Sequence, residues 1–598
     1  MIKEIEYFQN NNLKKLKFKY MRFSWKIGGE AGFGIATSGL AFSKIAARHG
    51  YHVFDYIAYP SLIRGSHNTF EAQVSDEKVT SLKGNIDFLV CLNEQTFKLH
   101  KNRLTSKSCV IYDKQEFNVS GNFVKISIPV GEIIKKLKGD DIMKNTIMLG
   151  ASLALLGADI SMYFNLINEQ FERKGKEIVD FNKKFAKEGY DYVIKNYSKD
   201  IKNVMKKKAK IKEKIVISGN EAFSLGSVIA DCRLYAAYPM TPASSVLTTL
   251  ALWQRKTGMI VRHPEDEIAA INTAIGASFA GARSSVGTSG GGFALMVESM
   301  SLAGATETPL VVFIAQRAGP ATGMPTWTEQ GDLLFSIFSG HGEFPKIVLA
   351  PGDSEEMINL TAKAYNLADI YQTPVIVLSD MFLSEAHISI DKDSVMDFIS
   401  KFKINRGKTT LTCSDKKYLR YKLSLDGISE RLIPGAKGYF YQANSYEHLE
   451  DGHTTEDKNQ RVNQVNKRNN KIKTYLNKDF SMPKIYGDLE RSHLVFVSWG
   501  SCKGPVLEAC KLLKEKNKSS AFIHFTHIWP LDKEKIKKLF KKDKEYVLIE
   551  SNSQAQFGKI LTMETGIEIK NKLLKYDGRQ LMPEEIVKFI LTKVNLKQ

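Results

Sequence analysis

Short apolar runs recur along this chain, each followed by a longer stretch with helical spacing. Near the start, 23–27 alternates like a strand and meets the glycine-rich turn Gly28-Gly29-Glu30-Ala31-Gly32-Phe33-Gly34, after which 35–49 reads as a helix. Runs at 86–91 and 108–112 predict further strands, and 146–156 a helix. Beyond a lysine-rich stretch the pattern resumes. It predicts strands at 215–217, 308–315, 346–350 and 374–378, with helices at 244–257, 268–282, 293–303 and 355–370. It returns near the carboxyl end, with strands at 494–497, 521–523 and 546–549 and helices at 504–516 and 533–540. Such alternation predicts an α/β chain of three α/β domains with mostly parallel sheets.

The expected division is a polar N-terminal extension (1–21), a first domain (22–194), a Lys-rich linker (195–214), a second domain (215–390), a polar linker region (391–483) and a third domain (484–598). The linker region is polar throughout, most of all at 457–473, and is expected to be irregular.

Composition narrows the class. The 598 residues are 43% hydrophobic and 25% charged, as in an ordinary globular protein. No apolar run approaches the roughly 18 residues of a membrane helix, and 1–19 is basic without an apolar core, so the chain reads as cytoplasmic, with no membrane partner. Cys91, Cys109, Cys232, Cys413, Cys502 and Cys510 are scattered, which argues against a disulfide framework and against a metal or cluster site on this chain. The net charge of +20 comes from lysines in spacers and amphipathic helices, without a nucleic-acid-binding signature. The positive field suits anionic substrates or an acidic redox partner better than nucleic acid.

Candidate chemistry concentrates between 238 and 317. In Tyr238-Pro239-Met240-Thr241-Pro242-Ala243-Ser244-Ser245 two prolines stiffen the turn that carries Thr241. The Thr241 and Ser244 hydroxyls, with the amides of the following helix start, suit an anion; a proline-stiffened helix entry with a serine cap explains the same residues. Glu265-Asp266-Glu267 opens a helix rich in alanine and glycine. Capping accounts for acids in a first turn, but the small side chains also admit a flat cofactor. A carboxyl at the buried end of that helix suits a proton held on a heterocycle nitrogen. The run Ser289-Gly290-Gly291-Gly292 permits either close packing or a phosphate cradle. Arg317 follows a strand, where a guanidinium can grip a carboxylate, and Thr326 and Thr328 share its loop. In the amino-terminal turn, Gly29-x-x-Gly32-x-Gly34 reverses the dinucleotide fingerprint, with Asp55 where a ribose-binding acid would stand; a structural turn explains it equally.

Taken in order, these motifs resemble the alpha subunit of 2-oxoacid:ferredoxin oxidoreductases with the gamma domain fused ahead of it, close to the 2-oxoglutarate enzymes. Gly28 to Gly34, Tyr59-Pro60-Ser61 and Arg64-Gly65 are similar to the gamma domain; Tyr238 to Ser245 and Glu265 to Ala270 to the alpha-subunit motifs; Trp499-Gly500-Ser501 and Glu550-Ser551-Asn552 to the carboxy-terminal domain.

The resemblance implies a gamma-type domain, a thiamine diphosphate pyrimidine-binding fold and a transketolase C-terminal-like domain. It implies CoA-dependent oxidative decarboxylation of a 2-oxo acid, 2-oxoglutarate to succinyl-CoA first among them, with electrons passed to ferredoxin. Glu267 takes the role of the glutamate at the aminopyrimidine nitrogen, ahead of Glu265 and Asp266, with Tyr238 and Pro239 beside the cofactor. Thr241 and Arg317 fall to the substrate carboxylate and Thr326 near the 2-oxo acid. Where relatives have Glu-His-Asp, this chain has Glu447-His448-Leu449, so an aspartate contact to substrate is lost here or moved to Glu450 or Asp451. The Gly-Asp-Gly of the diphosphate half is missing, so magnesium, the iron–sulfur cluster and half of the thiamine site are expected on a beta subunit, and this chain is expected to be inactive alone. Two other readings compete: a subunit of a non-redox thiamine enzyme, and a basic non-catalytic scaffold.

Overall fold

A computed structural model describes residues 21–60, 67–413 and 417–594. Nearly all of the predicted N-terminal extension, and Ser61, Arg64 and Gly65 of the amino-terminal motif, lie outside them. Three larger sheets carry the described chain, as the α/β pattern predicts; the first is mixed and the other two are mostly parallel.

In the first, Arg22–Glu30 lies between Ile86–Cys91, parallel to it, and His67–Ser75, antiparallel. Leu104–Tyr112 and Val124–Ser127 extend one flank and His52–Ala58 the other. Gly28 and Gly29 continue the strand; the turn proper holds Gly32 at φ 98° and Gly34 at φ 68°. Gly34 caps the Ile35–Arg48 helix in a conformation that favours glycine. Two strands from much later in the chain complete this sheet. His387–Asp391 pairs with His52–Ala58, and Lys214–Ser218 pairs with His387–Asp391. Phe54 and Tyr56 pack against the Phe382 ring at this seam.

The second sheet sets Leu234–Ala236, Ser284–Thr288, Leu310–Gln316, Pro374–Asp380 and Ile347–Leu349 side by side and parallel, with Ile260–Arg262 on the far flank of Leu234–Ala236. Leu310–Gln316 is buried at every position, which is why it reads as one unbroken apolar run. The chain passes from Leu234–Ala236 outward to Ile260–Arg262, then back across to Ser284–Thr288. Strand order therefore reverses between Leu234–Ala236 and Ser284–Thr288, and ligands of such sheets bind beyond the strand ends at that point. The third sheet orders Lys484–Tyr486, Ser520–Phe525, Leu494–Trp499, Glu545–Glu550 and Asn571–Leu574. His527–Trp529 leaves it to pair with Ile347–Leu349 of the second sheet.

Two expectations are corrected. The polar linker region is not irregular at its most polar part, because Lys458–Lys478 is a 21-residue helix capped by the Asp457 carboxylate. Its buried residues are Gln464, Lys467, Arg468, Lys471 and Tyr475, a helical stripe made of polar side chains. Lys467 and Lys471 each place Nζ 2.6 Å from an oxygen of the fully buried Glu307, Arg468 grips Glu447, and the Tyr475 hydroxyl meets His527. Apolar periodicity misses a helix whose inward face is held by ion pairs. The lysine-rich 195–214 spacer is likewise less detached than its composition implies: Met205 is fully buried and Lys208 N–H donates to the His49 carbonyl. Smaller shifts follow from local chemistry. The Gly290–Ala305 helix takes in the glycine run as its first turn, and the predicted 533–540 helix ends at Lys537.

Candidate functional site

Beyond the carboxyl ends of the second sheet, the predicted residues gather at the strand-order reversal. Asp266, Glu267 and Glu265 separate by role. Asp266 caps the Glu267–Phe279 helix, its carboxylate accepting from Ala269 N–H at 2.7 Å. Glu265 is exposed. Glu267 is only 4% exposed, and its Oε1 is buried without a hydrogen-bond partner. A buried, unpaired carboxyl oxygen is costly unless a group outside the chain completes it. Gly292, in the first turn of the adjacent helix, makes room for it.

Thr288 leads from this carboxyl toward the Tyr238 to Ser245 loop, its Oγ1 4.0 Å from the Met240 sulfur. Tyr238 and Pro239 are exposed, and the Tyr238 ring packs edge-on against His263. Arg317 Nη1 donates to the Thr241 carbonyl at 2.9 Å, so the two predicted carboxylate-binding residues are joined directly. The serine-cap alternative fails for Ser244: the cap position is Ala243, and no side chain caps this helix.

Arg317 and Thr326 flank one folded-back loop, in which Ala318 N–H donates to the Trp327 carbonyl at 3.0 Å. Thr326 is buried with an unpartnered hydroxyl, as Glu267 is with its carboxyl oxygen. Thr328 is different: it bonds Asp380 and accepts from Phe382 N–H, so it holds the loop rather than facing the cleft. The Arg579 guanidinium stacks 3.3 Å over the Trp327 ring, which fastens the third domain onto this loop.

Two carboxyls beyond Arg317 were not singled out from the sequence. Burial raises Asp332 to about 6, with Arg317 opposing the shift. Burial also raises Glu329 to about 7, and the Asp332 charge adds to it. Burial lowers Arg317 from its ordinary value while Asp332 acts the other way. Their place, on the same strand-end loop as Arg317, was the signal available in the sequence.

Other expectations settle into structural roles. Asp55 is fully buried and lies 2.8 Å from His387 Nδ1, so it serves the domain seam and not a ribose. Gly34 is held by packing, because a side chain there would strike Asn145, whose amide donates to the Phe33 carbonyl. Glu450 accepts from Leu423 N–H and Asp451 pairs with Lys417, so the two residues proposed to replace the aspartate lost at Leu449 are occupied locally. Among the described residues no cluster of three His, Cys, Asp or Glu side chains is placed to hold a metal, and no helix is long and apolar enough to cross a membrane.

The sheet reversal, the orphaned carboxyl and the arginine-bearing loop together mark a candidate ligand site of a parallel α/β sheet. The family profile described as pyruvate flavodoxin/ferredoxin oxidoreductase, thiamine diphosphate-binding, matches residues 226–467. Pyruvate ferredoxin/flavodoxin oxidoreductase matches 24–192, and the transketolase C-terminal domain matches 485–560. The chain is 32% identical to the 2-oxoacid:ferredoxin oxidoreductase subunit alpha of a Sulfolobus species, over 95% of this chain and 96% of that one. It is also 32% identical to the 2-oxoglutarate synthase subunit KorA of Methanocaldococcus jannaschii, over 63% of this chain and 98% of that one. Its fold superposes on a 2-oxoglutarate:ferredoxin oxidoreductase from Magnetococcus marinus, solved with 2-oxoglutarate, coenzyme A and succinyl-CoA bound. That match has a TM-score of 0.86 and 28% identity, and it covers 96% of this chain and 100% of the other. The chain belongs to the family of 2-oxoacid:ferredoxin oxidoreductase alpha subunits, with the gamma-type domain fused ahead of the alpha part.

Proposed function

We propose that this chain supplies the pyrimidine-binding and substrate-binding half of a complex that oxidatively decarboxylates 2-oxoglutarate to succinyl-CoA. The observation that carries the reading is Glu267, a buried carboxyl at a helix start with one oxygen unpartnered, in the crevice that also holds the Arg317–Thr241 pair. Such an oxygen fits the ring nitrogen of an aminopyrimidine, with Glu267 Oε1 holding the shared proton and Gly292 leaving the approach open. Tyr238 and Pro239, exposed on the loop that carries Thr241, are assigned to the same cofactor. When bound, thiamine diphosphate supplies the electron sink for loss of the carboxylate as carbon dioxide.

The remaining roles fall to this chain's own groups. Arg317 holds the substrate carboxylate through charge-assisted hydrogen bonds, and the Thr241 hydroxyl adds one more. The unpartnered Thr326 hydroxyl serves the 2-oxo group. The choice of 2-oxoglutarate rests on the relatives with that substrate in their names.

A beta subunit is proposed to bring the diphosphate and magnesium half and the iron–sulfur cluster, with ferredoxin as acceptor and coenzyme A as co-substrate. Support for a partner on this face comes from Ile268 and Leu295, which stand 48% and 52% exposed on the two helices around Glu267. Glu267→Gln in the reconstituted complex is expected to lower turnover with 2-oxoglutarate and a viologen acceptor by about 10²–10⁴-fold. Wild-type turnover in that variant would overturn the assignment.

A further inference from the structure

The loop that follows Arg317 is closed at its base by two hydrogen bonds. Asp332 N–H donates to the Gln316 side chain at 2.9 Å, and Ala318 N–H donates to the Trp327 carbonyl at 3.0 Å. Arg317 stands between them, with one bond on the residue before it and one on the residue after. The returning limb, 326–332, therefore sets the position from which the guanidinium reaches out. The same limb carries Thr326.

Much of what holds that limb comes from the third domain. Thr328 N–H donates to the Gly578 carbonyl at 3.2 Å. The Gln556 amide donates to the Gly331 carbonyl at 2.7 Å and accepts from Leu334 N–H at 2.9 Å. Gln330, fully buried, makes the tightest connection. Its N–H donates to the Ser551 carbonyl at 2.6 Å, and Ser551 N–H donates back to its Oε1 at 3.0 Å. Its Nε2 spans both domains, donating to the Trp499 carbonyl at 3.3 Å and to Asp380 Oδ2 at 3.4 Å. Gly500 has to be glycine for this contact: its φ is 57°, and a Cβ there would lie 2.7 Å from Gln330 Nε2. Glu550 fixes the frame by accepting from the Trp499 indole at 3.1 Å and from the Asn552 amide at 2.7 Å. The two motifs of the third domain, Trp499-Gly500-Ser501 and Glu550-Ser551-Asn552, thus converge on one glutamine of the second.

We propose that Gln330 is a positioning residue for the 2-oxo acid, acting through Arg317 and Thr326, and that the third domain serves the reaction as the template of the substrate loop. The inference rests on the assignment of Arg317 to the substrate carboxylate. A guanidinium grips a carboxylate through hydrogen bonds of fixed direction, so a limb displaced at Gln330 weakens that grip without removing the arginine. Glu267 stands on a helix of its own, and the need for cofactor reports on it separately.

The test is the split between KM and kcat for 2-oxoglutarate in the reconstituted complex, with coenzyme A saturating and a viologen acceptor. Gln330→Met keeps the length of the side chain and removes its hydrogen bonds. KM is expected to rise about tenfold while kcat stays within about twofold and the thiamine diphosphate requirement is unchanged, as when binding common to ground and transition states is lost. Glu307→Gln, which weakens the fold away from the site, should keep the wild-type KM. An unchanged KM in Gln330→Met, whatever its kcat, overturns the proposal, because a residue that only supports the fold alters the fraction of active complex. If that variant does not assemble, Gln556→Met releases the same limb from the third-domain side, and an unchanged KM there overturns it instead. An unchanged KM in Arg317→Gln is a distinct result, and refutes the assignment of Arg317 itself.

Discussion

Gly292 and Glu267 meet across two neighbouring helices: a Cβ on Gly292 would lie 2.6 Å from the Glu267 Oε1. The glycine therefore sets the space above the carboxyl oxygen that the aminopyrimidine is proposed to use. Gly292→Ala should turn the Glu267 side chain and raise the thiamine diphosphate concentration needed for half-maximal activity by about tenfold, the equivalent of one charge-assisted hydrogen bond. Activity of the reconstituted complex titrated with cofactor measures it. An unchanged requirement would place the cofactor elsewhere.

Thr241 offers a milder change. Thr241→Val keeps the shape of the side chain and removes the hydroxyl, while the carbonyl that holds Arg317 remains. KM for the 2-oxo acid is expected to rise about ten- to a hundredfold, the cost of one hydrogen bond to a charged group.

The Glu307 ion pairs predict a large effect on stability with no contact to the site. Glu307 is fully buried, and Lys467 and Lys471 hold its carboxyl well below the usual range even though burial pushes the other way. Glu307→Gln leaves two buried ammonium groups without their partner, which should destabilise the chain by about 3–5 kcal/mol. Chemical denaturation read by circular dichroism would show it. A loss below about 1 kcal/mol would mean that the 458–478 helix docks by other contacts.

His387 gives a pH dependence with a definite sign. Burial lowers its basicity, but the Asp55 charge and hydrogen bond outweigh that, and the net shift is upward. A base whose folded value is raised stabilises the fold below its unfolded value near 6.5, and that contribution is lost as pH rises through the folded value. Melting temperature should therefore fall on the alkaline side of neutrality. Asp55→Asn should remove this dependence at a cost on the order of 2 kcal/mol below pH 6.

Much of this was legible in the chain. Runs such as 310–315 and 374–378 are apolar throughout because parallel strands are covered on both faces, so the three α/β units could be read directly. Glu267, Thr241, Arg317 and Thr326 were singled out by motif order, and all four follow the carboxyl ends of strands of the second sheet. What escaped was held by charge. Gln464, Lys467, Arg468, Lys471 and Tyr475 have helical spacing, yet a search for apolar periodicity passes over lysines. Asp332 was hidden for a related reason: the fold alone brings its carboxyl against the Gly290 backbone.

The pairing of His387–Asp391 with His52–Ala58 makes the boundary between the first two segments a β-ladder, and the peptide that crosses it is a tether. A tether can be cut where a ladder cannot. Proteolysis within 209–213, exposed and beyond the buried Met205, should leave two fragments that still elute as one particle. A separately produced 22–194 fragment would instead present the bare edge of His52–Ala58, and should be sticky until it meets the rest of the chain. In this protein, adjacency along the sheet, more than continuity along the backbone, decides what holds together.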